Sequence, residues 1–102
     1  MAAFTKICSK SDLPEPGEAK EFNVGGKFVC VANVDGELSA MDNVCVHRGG
    51  PLGQGMVIDG KVICPWHGWQ YNARTGVPDE NSSLRVAVYP IKVEGDDVLV
   101  EM

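Results

Sequence analysis

No stretch of this sequence stays apolar for the roughly 18–20 residues that a membrane-crossing helix needs. The segment from Met1 to Lys10 has no charged start followed by an apolar run and a small-residue cleavage site. No secretory leader is therefore expected, and the chain is read as cytoplasmic. Basic residues are in deficit: nine Lys and Arg against fourteen Asp and Glu give a net charge of −5. That balance disfavours nucleic acid and anionic membrane as partners, since both need a basic patch. Partners with basic docking surfaces suit it better. There is no 3.6-residue apolar stripe, no repeat and no low-complexity tract. Ser9 to Leu13 can form one helical turn, but Pro14 and Pro16 stop it. With 102 residues there is room for one core and not two, so residues 1–102 are read as a single domain.

What is present is a series of short strand-like runs divided by turn signals. Phe4 to Cys8 is apolar at alternate positions, and Ser11 to Glu18 is a polar, proline-bearing connection. Glu21 to Val24 runs into Gly25-Gly26, and Lys27 to Val34 is rich in β-branched residues. Asp35-Gly36 separates that run from Glu37 to Met41, and Asp59-Gly60 separates Met56–Ile58 from Lys61–Ile63. Both pairs predict tight hairpins. Leu84 to Val93 alternates, Gly95-Asp96 turns, and Asp97 to Met102 closes the chain. The pattern predicts an all-β domain, an antiparallel sandwich or barrel. Asp42 to Gly55 and Pro65 to Ser83 break the strand rhythm. Long irregular segments inside a small domain are usually functional sites, which places the site region at about 42–83.

Both irregular segments carry a Cys-His pair: Cys45-x-His47, then sixteen intervening residues, then Cys64-x-x-His67. The two histidines are all the chain has. On spacing alone three readings stand. A structural zinc ion takes two thiolates and two imidazoles in a tetrahedron. A mixed-ligand [2Fe–2S] centre takes two thiolates on one iron and two imidazoles on the other. A Cys45–Cys64 disulfide leaves both histidines unexplained and conflicts with the lack of an export signal. The surroundings exceed what zinc ligation requires. Gly49, Gly50, Gly53 and Gly68 permit unusual backbone angles and close approach of amide groups to sulfur. Pro65 stiffens the second segment, and Leu52, Trp66 and Trp69 can cover a metal centre with apolar surface. Cys8 and Cys30 sit in strand-like runs and read as buried thiols.

Cys45-Val46-His47-Arg48-Gly49 and Cys64-Pro65-Trp66-His67-Gly68-Trp69 resemble the two cluster loops of the Rieske superfamily. The chain is similar to the stand-alone Rieske ferredoxins of multicomponent oxygenases. The wording Pro65-Trp66-His67-Gly68-Trp69-Gln70-Tyr71 also resembles the Rieske domains of the oxygenases themselves. The resemblance implies one [2Fe–2S] cluster held by Cys45, His47, Cys64 and His67. It also implies a Rieske-like antiparallel sandwich with a cluster-binding subdomain of two loops, and a third, proline-containing loop at Gly76-Val77-Pro78. High-potential respiratory members join their loops by a disulfide, and those positions hold Gly50 and Trp66 here. A serine of that branch is replaced by Trp69, while Tyr71 stands where a tyrosine bonds a ligand sulfur. These departures predict a potential toward the low end of the roughly −150 to +300 mV range of such centres.

A mononuclear oxygenase iron needs two further histidines and a carboxylate, and both histidines are already committed. No nucleophile–base pair remains, so the chain is read as an electron carrier and not an enzyme. The expected role is one-electron transfer from a reductase to a terminal oxygenase. Two alternatives are a fixed small subunit of a nitrite-reductase-like assembly and a redox or iron sensor.

Overall fold

The computed structural model describes residues 3–46, 49–66 and 68–102. Among these, ten strands pair into three antiparallel sheets. β1 (Phe4–Ser9), β10 (Asp97–Glu101) and β9 (Ile91–Glu94) form the first in that order. The second runs β2 (Ala19–Val24), β3 (Lys27–Val34), β4 (Glu37–Asp42), β8 (Val88–Tyr89). The third is small: β5 (Met56–Ile58), β6 (Lys61–Ile63), β7 (Gln70–Asn72). The all-β expectation is met, and the only helical segments among the described residues are single 3-10 turns at Lys10–Asp12 and Leu52–Gln54.

Strand β3 explains how two cores coexist in so short a chain. Its burial is continuous from Val29 to Asn33, unlike a strand with one wet face. Val29 and Val31 point to a core shared with Ala40 and Val100, beneath the β1–β10–β9 sheet. Cys30 and Ala32 point the other way, into a core with Met41, Leu52, Val57, Val62, Tyr71 and both Cys45 and Cys64. Each fully buried valine contributes about 1.5–3 kcal/mol relative to leaving it in water. β3 is thus the wall between a structural core and the core under the candidate site.

Both Asp-Gly hairpins form as expected. Asp35 and Gly36 have φ of 53° and 94°, and Asp59 and Gly60 have 52° and 77°, the left-handed pair of a type I′ turn. The second hairpin sets β5 against β6 with Val57 opposite Val62. The small sheet is joined to the larger one through Gly17: its N–H donates to the Asn33 carbonyl at 2.9 Å, and its carbonyl accepts from Val57 at 3.2 Å.

Two expectations need correction. Leu84 to Val93 is not one strand: only Val88–Tyr89 and Ile91–Glu94 are extended in a sheet, divided by Pro90, which has no N–H for a ladder. Within the irregular segment from Pro65 to Ser83 a three-residue strand, β7, pairs with β6, setting Tyr71 opposite Val62. Its brevity and its flanking aromatics and glycines hid it in the sequence.

Candidate metal centre

Two loops present the cysteines, Cys45 after β4 and Cys64 directly after β6. Their backbones repeat one pattern. Gly49 N–H donates to the Cys45 carbonyl at 2.8 Å, and Gly68 N–H donates to the Cys64 carbonyl at 3.0 Å. Cys45 N–H donates to the Gly50 carbonyl at 2.9 Å, and Cys64 N–H donates to the Trp69 carbonyl at 2.8 Å. Each cysteine therefore opens a five-residue turn closed by a glycine four residues later. Gly49 and Gly68 have φ of 77° and 75°, a conformation that side chains disfavour. The same hydrogen bonds thus frame both loops at the described residues on either side. His47 and His67 lie outside the described residues.

The two loops meet at Gly50. A methyl group there would lie 2.7 Å from Cys64 Sγ and 3.1 Å from Trp66 Cγ. Glycine at this position is a matter of space, since it leaves room for the second loop's sulfur and indole. Cys45 and Cys64 are 2% and 3% exposed, so both sulfurs are withdrawn from solvent. None of the four cysteines is in a disulfide.

Tyr71 lies fully buried beneath the loops. Its hydroxyl is 2.9 Å from Cys45 Sγ and accepts from Val46 N–H at 3.1 Å. Burial pushes the hydroxyl's pKa up, and the bond to Cys45 and the charge of Cys64 push it the same way. Pro78 is fully buried and bridged to Tyr71, bringing the expected third loop against the floor of the site.

Leu52 is buried and Trp69 half-buried against the core, as a cover should be. Trp66 differs from the expectation: it is 57% exposed and offers only part of its ring to Gly50. With Val44, Val46 and Met56 it makes the loop end of the molecule apolar at its surface. Cys8 is only half-buried, whereas Cys30 is fully buried, its thiol pushed up to about 12 chiefly by burial.

Sequence reasoning missed Asn43 and Glu21. Asn43 sits two residues before Cys45, and its Oδ1 accepts from Gly53 N–H at 2.6 Å while its Nδ2 donates to Glu21 Oε2 at 2.8 Å. An asparagine just outside a metal-binding motif is a weak signal, and Glu21 lies too far away in sequence to be linked to it.

The described donors suit a mixed-ligand [2Fe–2S] group. Two buried thiols come from matched loops, a phenol reaches one sulfur, and a glycine leaves space at the other. A lone zinc ion would need none of these additions.

A model for "Rieske [2Fe-2S] domain" matches residues 3–90. The chain is 40% identical over 100 residues to the biphenyl dioxygenase ferredoxin subunit of Pseudomonas sp. strain KKS102, covering 96% of this chain and 91% of that one. Its fold matches the ferredoxin of carbazole 1,9a-dioxygenase from Nocardioides aromaticivorans IC177 with a TM-score of 0.84 at 28% identity, covering 96% of both chains. A chain in a solved complex of reduced oxygenase and oxidized ferredoxin of carbazole 1,9a-dioxygenase matches with a TM-score of 0.83 at 28% identity, over 96% of this chain and 92% of that one.

Proposed function

Because this chain belongs to the Rieske [2Fe–2S] domain family, we propose that it is a ferredoxin carrying single electrons from a reductase to a terminal oxygenase. The observation that carries this reading is the pair of matched loops, which meet at Gly50, bury both cysteines and carry exposed apolar side chains. Cys45, His47, Cys64 and His67 hold one [2Fe–2S] cluster, which supplies a reversible one-electron couple. The protein performs no substrate chemistry; its relatives are ferredoxin components that serve oxygenases.

The chain's own residues do three things for that couple. The turns closed by Gly49 and Gly68 fix the backbone that carries each cysteine. Leu52, Trp69 and Pro78 keep water from the buried side, while Val44, Val46, Met56 and Trp66 leave the loop end apolar for docking. The Tyr71 hydroxyl lies 2.9 Å from Cys45 Sγ, and against a thiolate, which can only accept, it would donate and so favour added negative charge at that sulfur. Residues 1–102 act as one domain with the cluster-binding part at about 42–83, working in the cytoplasm.

No described cysteine pair bridges the loops, and Trp69 offers no hydroxyl. The potential is therefore in the lower part of the roughly −150 to +300 mV range. The test is to purify the chain with iron and sulfide supplied, reduce it, and record its paramagnetic resonance and midpoint potential. A rhombic signal of a mixed-ligand diiron centre with a low midpoint is expected, lost on Cys64→Ser. A colourless protein that binds one zinc ion with equal stability overturns the reading.

A further inference from the structure

Behind the first cysteine loop, no Lys or Arg among the described residues pairs with a carboxylate from the neighbouring sheet. Glu21 is in β2, half-buried, and both of its oxygens accept from amides: Oε2 from Asn43 Nδ2 at 2.8 Å and Oε1 from Gln54 Nε2 at 3.0 Å. Among the described residues no Lys or Arg pairs with it. Gln54 is the last residue of the 3-10 turn Leu52–Gln54, and Asn43 accepts from that turn's Leu52 and Gly53 N–H groups.

Asn43 carries the contact onward. It is 5% exposed, and it grips the far side of its own loop twice: its carbonyl accepts from Leu52 N–H at 2.8 Å and its Oδ1 from Gly53 N–H at 2.6 Å. Gly53 is packed directly on β2. A methyl there would lie 2.6 Å from Glu21 Cβ, 2.7 Å from Glu21 N and 2.8 Å from Asn43 Oδ1. No positive φ calls for glycine at this position; close approach does. The Cys45 loop is thus closed at its base by a chain of hydrogen bonds that ends on one carboxylate.

We propose that Glu21 is a positioning residue for the cluster site, holding the Cys45 loop through Asn43 and Gln54 and lowering the reduction potential by the negative charge it carries between those two amides. This rests on the electron-carrier reading above. Two facts support the electrostatic half. A charge held by neutral amides in a half-buried place is screened less than a surface charge. Glu21 also stands opposite Cys30 in the β2–β3 ladder and helps to push up that thiol, which belongs to the same core as Cys45 and Cys64. Adding an electron to the site makes it more negative, and a fixed negative charge opposes that.

The two halves separate experimentally in the iron-loaded protein. Glu21→Gln removes the charge at nearly constant shape, and the midpoint potential should move upward with iron content unchanged. Glu21→Ala removes both acceptors, and hydrogen–deuterium exchange of the peptide spanning 52–55, read by mass spectrometry, should quicken about tenfold, the cost of a lost charge-assisted bond. Exchange in β10 should stay as in the parent protein. An unmoved midpoint in the glutamine variant overturns the electrostatic role. Unchanged exchange at 52–55, or an equal rise in β10, overturns the positioning role. Glu21→Asp replaces the alanine variant if that does not fold, since it withdraws the carboxylate from both amides. A parent protein without an iron–sulfur signal would refute the electron-carrier reading instead, and the exchange comparison would still decide the tether.

Discussion

At Gly50 and Gly49, adjacent glycines are needed for unlike reasons. Gly49 has a φ of 77° and only Val44 Cγ1, at 4.0 Å, near a would-be methyl, so its constraint is conformational. Gly50 has ordinary backbone angles, but Cys64 Sγ and the Trp66 ring occupy the space of a side chain. Gly50→Ala should therefore push the second cysteine out of line, and iron and sulfide per chain should fall well below the parent level when assayed chemically. Tyr71 belongs to the same scale. Its ring fills the core and its hydroxyl alone meets Cys45 Sγ and Val46 N–H. Tyr71→Phe keeps the packing and removes the donor, so the midpoint potential should drop in a redox titration. Stability should fall by about 1–3 kcal/mol, since a part-buried N–H loses its acceptor. Both residues could be picked out in the sequence by their motif, but a one-letter glycine does not say whether angle or space demands it.

Among the elements, the β5–β6 hairpin does most to create the site, because it carries Cys64 back alongside the Cys45 loop. Its turn depends on Asp59 and Gly60 both holding left-handed angles, with φ of 52° and 77°. Asp tolerates that region and a β-branched residue does not. Asp59→Val should lower stability by about 1–2 kcal/mol, read as a reduced denaturant midpoint with the slope unchanged. The Asp-Gly signal made both hairpins legible from sequence, because the turn is decided by local sterics. The end of the chain from Leu84 was not legible in the same way. Its alternation suggested a single strand, but Pro90 divides it, and Val86 leaves the ladder to donate to the Gly76 carbonyl at 2.9 Å.

On the scale of the whole molecule, β3 partitions the protein into two cores, and the consequence shows in its response to pH. Cys30 is fully buried in the core that contains Cys45 and Cys64, and its thiol is raised from 9.0 to about 12, by burial first and the Glu21 charge second. In the unfolded chain the same thiol ionises at its ordinary value. Below that value both states hold the proton and the contribution to stability is complete. Between 9.0 and about 12 the unfolded state binds fewer protons, so stability declines as pH rises. Unfolding measured across that window should show a steeper alkaline loss in the parent than in Cys30→Ala. Parallel curves for the two proteins would show that another group sets the alkaline limit.

What the sequence determined by itself was set by short-range chemistry. The alternation of apolar residues implied β-structure, the Asp-Gly pairs implied hairpins, and two Cys-His pairs among glycines marked the loops. Tertiary structure alone decided which surfaces those loops share. Only packing brings Gly50 under Cys64 Sγ, exposes more than half of Trp66, and sets Glu21 from β2 behind Asn43. The physical reason is that these contacts join residues distant along the chain. Periodicity and turn preference express the energy of neighbours, whereas the space left by a glycine or the field of a carboxylate depends on what another sheet places beside it.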